Sequence, residues 1–170
     1  MTVRSALALS TVLAASASVT IAVAAARPFP LPAAPPVATI DVPEEWGPTG
    51  TGEGVEGAAD NGAVRLMAQF IPALDPDSAL AAALANVRRR GVSPDPETRR
   101  ASTQRLNGHD VLKVDFSGTD PNGESEITVI LIALPAKAGF VAVAYWGDDE
   151  AQESVGNDLQ AIVESIRPSK

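Results

Sequence analysis

The sequence predicts an α+β fold, an antiparallel sheet covered by helices, and three observations carry that prediction. Candidate strands cluster around three Asn-Gly pairs, Asn61-Gly62, Asn107-Gly108 and Asn122-Gly123. Asn-Gly is the strongest short hairpin signal, because a type I′ turn needs positive φ at both central residues. Two segments, Ile127 to Leu134 and Phe140 to Trp146, are almost wholly apolar, which marks central strands buried on both faces. Two amphipathic helical patterns are available as cover, one in mid-chain and one at the C-terminus.

The elements follow in order. Val37 to Val42 alternates and runs into Pro43-Glu44-Glu45-Trp46, a strand ending in a turn. Thr49 to Gly54 reads as a glycine-rich loop. Glu53 to Ala59 and Ala63 to Ile71 form the first hairpin. Asp75-Pro76-Asp77 opens a helix with a capping aspartate and a proline at the first helical position. Leu80, Leu84 and Val87 continue it, and Arg88-Arg89-Arg90 and Gly91 close it. Ala101 to Leu106 and His109 to Ser117 make the second hairpin, with Leu112, Val114 and Phe116 sharing one face. Asp120-Pro121-Asn122-Gly123 turns into Glu124 to Leu134, and Pro135 to Gly139 turns into Phe140 to Trp146, where Tyr145 and Trp146 face opposite sides. The last helix is expected as one piece from Asp149 to Ile166, with Val155, Leu159, Ile162, Val163 and Ile166 on a single stripe.

Three parts are expected along the chain. Residues 1–26 read as a signal peptide, or an N-terminal membrane anchor. Arg4 is their one charge, Ser5 to Ala26 is a run of small and apolar residues, and Ala22-x-Ala24 and Ala24-x-Ala26 both offer cleavage. The run at 5–26 is long enough to act as a membrane tether if it is kept. Residues 27–36 hold five prolines and are expected to form a stiff polyproline linker. Residues 37–170 are the folded domain. The protein is thus expected to be exported to the periplasm or beyond. With no cysteine it has neither disulfides nor a lipobox.

Composition narrows the function. The net charge is −8, and loss of Arg4 with the leader makes it more negative. That argues against nucleic-acid binding, which needs a basic footprint. Catalytic and metal sites are not legible. The single histidine, His109, sits beside a turn without a triad, there is no G-x-S-x-G, and Gly50, Gly52 and Gly54 lack the residues of a phosphate loop. Asp120 to Glu124 and Asp148-Asp149-Glu150 could approach a cation, but a hairpin turn and a helix start account for them. No cofactor and no enzymatic activity are expected.

One charged cluster stands out. Arg88, Arg89, Arg90, Arg99, Arg100 and Arg105 fall close together in an acidic chain. The first five are the candidate partner-binding residues, since guanidinium forks suit carboxylates and phosphates. A solvated helix end and a guarded edge strand would give the same pattern. A small-ligand or lipid carrier is the alternative function. It requires an apolar cavity between sheet and helix near Tyr145 or Trp146.

Short motifs also resemble a known superfamily. Val42-Pro43-Glu44-Glu45-Trp46 is similar to the V-P-x-x-W opening of PsbP-like domains. Leu106-Asn107-Gly108 with its alternating strand resembles their mid-domain hairpin. Ile162, Val163 and Ser165-Ile166-Arg167 resemble their C-terminal ending. The likeness spans Val37 to Arg167. That superfamily includes the extrinsic PsbP subunit of photosystem II, a Ran-binding nuclear import factor, DcrB-like envelope lipoproteins and certain secretion chaperones. The resemblance implies an antiparallel sheet with helices on both faces and a function in binding other proteins, here an envelope protein. It carries over no particular partner and no site residue, and the missing lipobox cysteine departs from the DcrB-like pattern.

Overall fold

The computed structural model describes residues 25–32 and 34–169; the expected leader therefore lies, but for its last two residues, outside the described residues. The chain runs β1 (Ala26–Leu31), β2 (Ala38–Pro43), a 3-10 turn at Glu44–Trp46, β3 (Thr49–Gly50), β4 (Gly54–Ala59) and β5 (Val64–Ile71). Then come α1 (Pro76–Arg88), β6 (Ser93–Pro94), β7 (Arg100–Leu106), β8 (His109–Asp120), β9 (Gly123–Leu134) and β10 (Gly139–Gly147). The chain closes with α2 (Asp149–Ser154), α3 (Gly156–Glu164) and β11 (Arg167–Pro168). The large antiparallel sheet has the order β3-β4-β5-β10-β9-β8-β6, with β7 also paired to β8; a small sheet has the order β1-β2-β11.

The apolar strands take the central places, as their composition requires. β10 lies between β5 and β9, and alternate residues of each strand feed separate cores. Val129 and Leu131 of β9 and Ala142 and Ala144 of β10 pack with Ala79, Leu80, Ala83 and Val87 of α1. Ile130, Ile132 and Leu134 of β9 and Val141 and Val143 of β10 face the other way. There they meet Phe29, Leu31, Ile40 and Val42 of the small sheet and Leu159, Ile162 and Val163 of α3. The expectation of helices on both faces needs amending. α1 covers one face, whereas the other is covered jointly by the small sheet and α3, which packs against β2.

The proline-rich segment is a second correction. It was expected to be a spacer over 27–36, yet Ala26–Leu31 is a strand paired to β2. Phe29 and Leu31 are buried in the core, while Pro28 and Pro30 are exposed. Proline is tolerated on an edge strand because the missing N–H faces solvent. The Pro-Phe-Pro-Leu alternation outweighs the proline count. The fold thus takes in Ala26–Leu31 as well as the residues from Val37 on.

The closing helix is a third. It breaks at Val155 (φ −108°, ψ 13°), and Gly156 opens α3. Glycine and a β-branched residue are weak helix formers side by side, and Asp148 caps α2 through the N–H groups of Glu150 and Ala151. The chain then returns to β2. Ser165 Oγ accepts from the Asp41 N–H at 2.8 Å, and Arg167 Nη2 donates to both Asp41 carboxylate oxygens at 2.8 Å. Of the Asn-Gly turns, Asn107 (φ 51°) and Gly108 (φ 83°) form the two-residue link between β7 and β8.

The α1 cap is formed as the sequence predicts. Asp75 Oδ1 accepts from the Ser78 N–H at 2.8 Å, and Asp75 Oδ2 accepts from Ser78 Oγ at 2.7 Å. The Ser78 N–H, followed by its hydroxyl, holds the Asp75 carboxyl below the ordinary aspartate value of 3.8.

Two predictions follow from these packing and capping relations. Leu31→Ala should destabilise the domain by about 2–5 kcal/mol in urea unfolding, the range for a buried leucine; a leucine in a free spacer would cost nothing. Asp75 is a group with a depressed folded value, so its contribution is fully present above 3.8 and is lost as pH falls through the lower folded value. The melting-temperature gap between wild type and Asp75→Ala should therefore be largest near neutrality and should close in strong acid.

Candidate functional site

The two covers of the second face do not meet over all of it. The small sheet and α3 leave a groove of about 570 Å³ toward β7 and β8. Its floor is Ile130 of β9 and Tyr145 of β10, with Lys113 of β8 directly paired to Ile130. Leu106 at the end of β7 forms one side, and Leu159 and Val163 of α3 form the other. Gln104, Arg105, Gln160 and Glu164 stand on the rim.

Both ends of the groove are pinned by side chains bonded to backbone. At one end Asn107 Nδ2, in the β7–β8 turn, donates to the Glu164 carbonyl of α3 at 2.9 Å. At the other, Gln152 Nε2 of α2 donates to the Glu126 carbonyl at 2.7 Å and the Gly147 carbonyl at 3.0 Å. Polar groups beside the floor have partners. Lys113 Nζ lies 3.1 Å from Asp115, which also accepts from Thr128 Oγ1 at 2.7 Å, and Gln160 donates to Glu164 at 2.8 Å. The floor joins the apolar Ile130 and the Tyr145 ring to the Lys113 ammonium, and the rim is polar, a mixture found in surfaces that bind protein.

The arginine cluster is not gathered on one surface. Arg88 and Arg89 are exposed at the end of α1, and Arg89 donates to the Asn86 side chain. Arg90 is paired with Glu56 of β4 and donates to the Asn86 carbonyl at 2.9 Å. Glu56 sits opposite Met67, on the α1 face. Arg99 is exposed just before β7. Arg100 reaches Glu126 at 3.6 Å, on the face of Thr128 and Ile130, away from α1. Arg105 lies 3.5 Å from Asp110 and donates to the Gly108 carbonyl at 3.2 Å. Arg88 to Arg90 and Arg100 therefore belong to opposite faces of the sheet.

The other sequence candidates have structural duties. Tyr145 and Trp146 point to opposite cores as their alternation requires. Trp146 and Trp46 are 3% and 1% exposed and act as walls of a second hollow of about 420 Å³ between Arg65 and Arg90. Asp120 accepts from the Asn122 N–H at 2.6 Å, holding its turn. Among the described residues no three acids, histidines or cysteines gather as a metal site. Sequence reasoning reached Tyr145 but missed Leu106, Gln152 and the α3 wall. Their juxtaposition depends on where the helix break sends α3, which periodicity does not encode.

An α+β domain whose central sheet carries α1 on one face, and a small sheet with an open groove on the other, defines the class. The chain has the PsbP-like fold. Three of the solved structures similar to it illustrate the fold. LpqN of Mycobacterium tuberculosis, involved in cell envelope biogenesis, aligns with a TM-score of 0.54 at 15% identity, covering 85% of this chain and 92% of that one. The cyanobacterial PsbP (CyanoP) of Synechocystis sp. PCC 6803 aligns with a TM-score of 0.57 at 8% identity, covering 92% and 99%. The Ran-binding protein Mog1p of Saccharomyces cerevisiae aligns with a TM-score of 0.51 at 11% identity, covering 85% and 96%. No family model and no curated protein matches the chain by sequence.

The Gln152 side chain bridges two strands, so its loss should be felt. Gln152→Ala should lower stability by about 1 kcal/mol in urea unfolding, the net worth of a side-chain hydrogen bond, since Ser125 Oγ still donates to both carbonyls at 3.4 and 3.3 Å.

Proposed function

We propose that this is an exported, non-catalytic binding domain of the bacterial cell envelope, and that a segment of a protein partner docks in the groove between α3 and the sheet. The single observation that carries the reading is the shape of that groove: a floor of Ile130, Tyr145 and Lys113, a polar rim, pinned ends and an open top. Sites for small molecules enclose most of the ligand surface. An open trough suits a protein segment better, whose own bulk completes the cover. Two proteins of the same fold point the same way, LpqN through the cell envelope and Mog1p through Ran binding.

Export rests on the leader at 1–26. The Glu44 N–H donates to the Ala25 carbonyl at 2.9 Å. Cleavage after Ala24 keeps that bond, and cleavage after Ala26 removes it while leaving Phe29 and Leu31 in place.

The second reading is a small-ligand or lipid carrier, and Tyr145 beside Ile130 in the floor favours it. One experiment separates the two. A photocrosslinking residue in place of Gln160, on the rim, is activated in intact cells, and the mature N-terminus is sequenced from the same preparation. The expected result is a discrete protein adduct that weakens severalfold in Tyr145→Ala, on a chain beginning at Ala25 or Arg27. If no protein adduct forms and a fluorescent fatty acid binds the purified domain with unit stoichiometry, the carrier reading replaces it. A chain beginning at Met1 would mean a membrane-tethered domain.

A further inference from the structure

Among the described residues, the strand edges other than that of β7 are short, carry prolines or are covered. β1 carries Pro28 and Pro30. β11 has two residues and ends in Pro168, and β6 has two and ends in Pro94. β3 has two residues and follows Pro48, and Gly57 of β4 lies against the backbone of Trp46 and Pro48. Short strands and prolines are how sheets avoid unwanted pairing. β7 is different: it has seven residues and no proline, and all but Leu106 are exposed.

Its free backbone groups can be located. β7 pairs only with β8 among the described residues, through the two-residue turn at Asn107-Gly108. Such a turn is closed by a mutually bonded pair, here Leu106 and His109, and bonded pairs alternate from there. Ala101, Thr103 and Arg105 therefore turn their N–H and C=O groups outward. The strand is also basic. Arg99, Arg100 and Arg105 lie between residues 99 and 106 with no acid among them, in a chain of net charge −8. Arg100 and Arg105 are 70% and 75% exposed, with acids no nearer than 3.6 and 3.5 Å; pairs so exposed contribute little and are readily exchanged. A hollow of about 500 Å³ flanks β7 on the α1 side, lined by Thr103, Leu112, Leu131, Ala133 and Phe140. The groove described above flanks it on the other.

We propose that β7 is a strand-addition site for an extended segment of a partner protein, proline-free, with alternating apolar side chains and acidic flanks. Main-chain bonds to β7 supply affinity, alternate side chains enter the flanking hollow, and the arginines select the acidic ends. On this view the arginines do two things: they discourage pairing between copies of the chain and admit an acidic strand. The inference rests on the reading of the domain as a protein binder but not on the groove.

The probe is a fluorescein-labelled peptide of alternating valine and threonine flanked by glutamates, followed by anisotropy and by amide exchange in NMR. The expected result is binding that weakens with salt, with slowed exchange at the amides of Ala101, Thr103 and Arg105. Thr103→Pro removes one outward N–H and no bond to β8, and should weaken binding by about tenfold or more. Arg100→Glu combined with Arg105→Glu, which leaves the backbone untouched, should do the same. The proposal is overturned if folded Thr103→Pro or the charge-reversed variant binds like wild type. It is overturned equally by a lysine-flanked peptide that binds as well, or by β7 amides that are protected without peptide as concentration rises, since the occupant would then be a second copy. Failure here leaves the Gln160 crosslink unaffected, so the two readings fall separately.

Discussion

The burial of β9 and β10 on both faces is the constraint on which the rest of the molecule depends. A strand with one wet face needs one cover, and these need two. Ile130, Ile132, Val141 and Val143 on one side, and Val129, Leu131, Ala142 and Ala144 on the other, are removed from water together. At roughly 25 cal/mol per Å² of apolar surface, leaving either side uncovered would cost several kcal/mol, comparable with the whole stability of a domain. α1 is connected directly to β5 and serves one face. Among the described residues the chain has no second helix as long as α1 for the other. It recruits β1 and β2 from the N-terminus and α3 from the C-terminus, and ties them together through Ser165, Arg167 and Asp41.

That solution joins the two ends of the domain in one layer, and it explains why the prolines near the N-terminus are compatible with packing. β1 is the outer strand of the small sheet, so Pro28 and Pro30 remove no ladder bond while Phe29 and Leu31 reach the core. The same residues close an edge that would otherwise be open. β7 escapes this treatment. Its backbone edge is exposed among the described residues, where β8 is its one pairing partner.

Much of this architecture is legible in the sequence. The alternation of Leu112, Val114 and Phe116, the apolar runs at Ile127 and Phe140, and the Asp75-Pro76 cap are local signals, and each corresponds to an observed element. The failures share one cause. Whether Pro28 to Leu31 is a spacer or a strand depends on the presence of β2 beside it, not on its own composition. Whether the last helix is continuous depends on Gly156 and on the attraction of β2 for α3. The clustering of arginines in sequence also says nothing of faces: a helix and a strand joined by a short connection place Arg90 and Arg100 on opposite sides of one sheet.

The groove is then a consequence of the cover rather than a separate feature. With the helix broken at Val155, α3 packs on β2 and ends against the β7–β8 turn. The face is filled where the small sheet lies, and it stays open over Lys113, Ile130 and Tyr145, where only the side of α3 reaches. Asn107 and Gln152 hold this gap at its two ends and bond backbone carbonyls rather than each other. A gap so held is pre-organised, and association with it forgoes part of the ordering cost that a flexible surface would incur. The same fold can keep its core and change its partner by altering only the rim, where Gln104, Arg105, Gln160 and Glu164 stand outside both hydrophobic clusters.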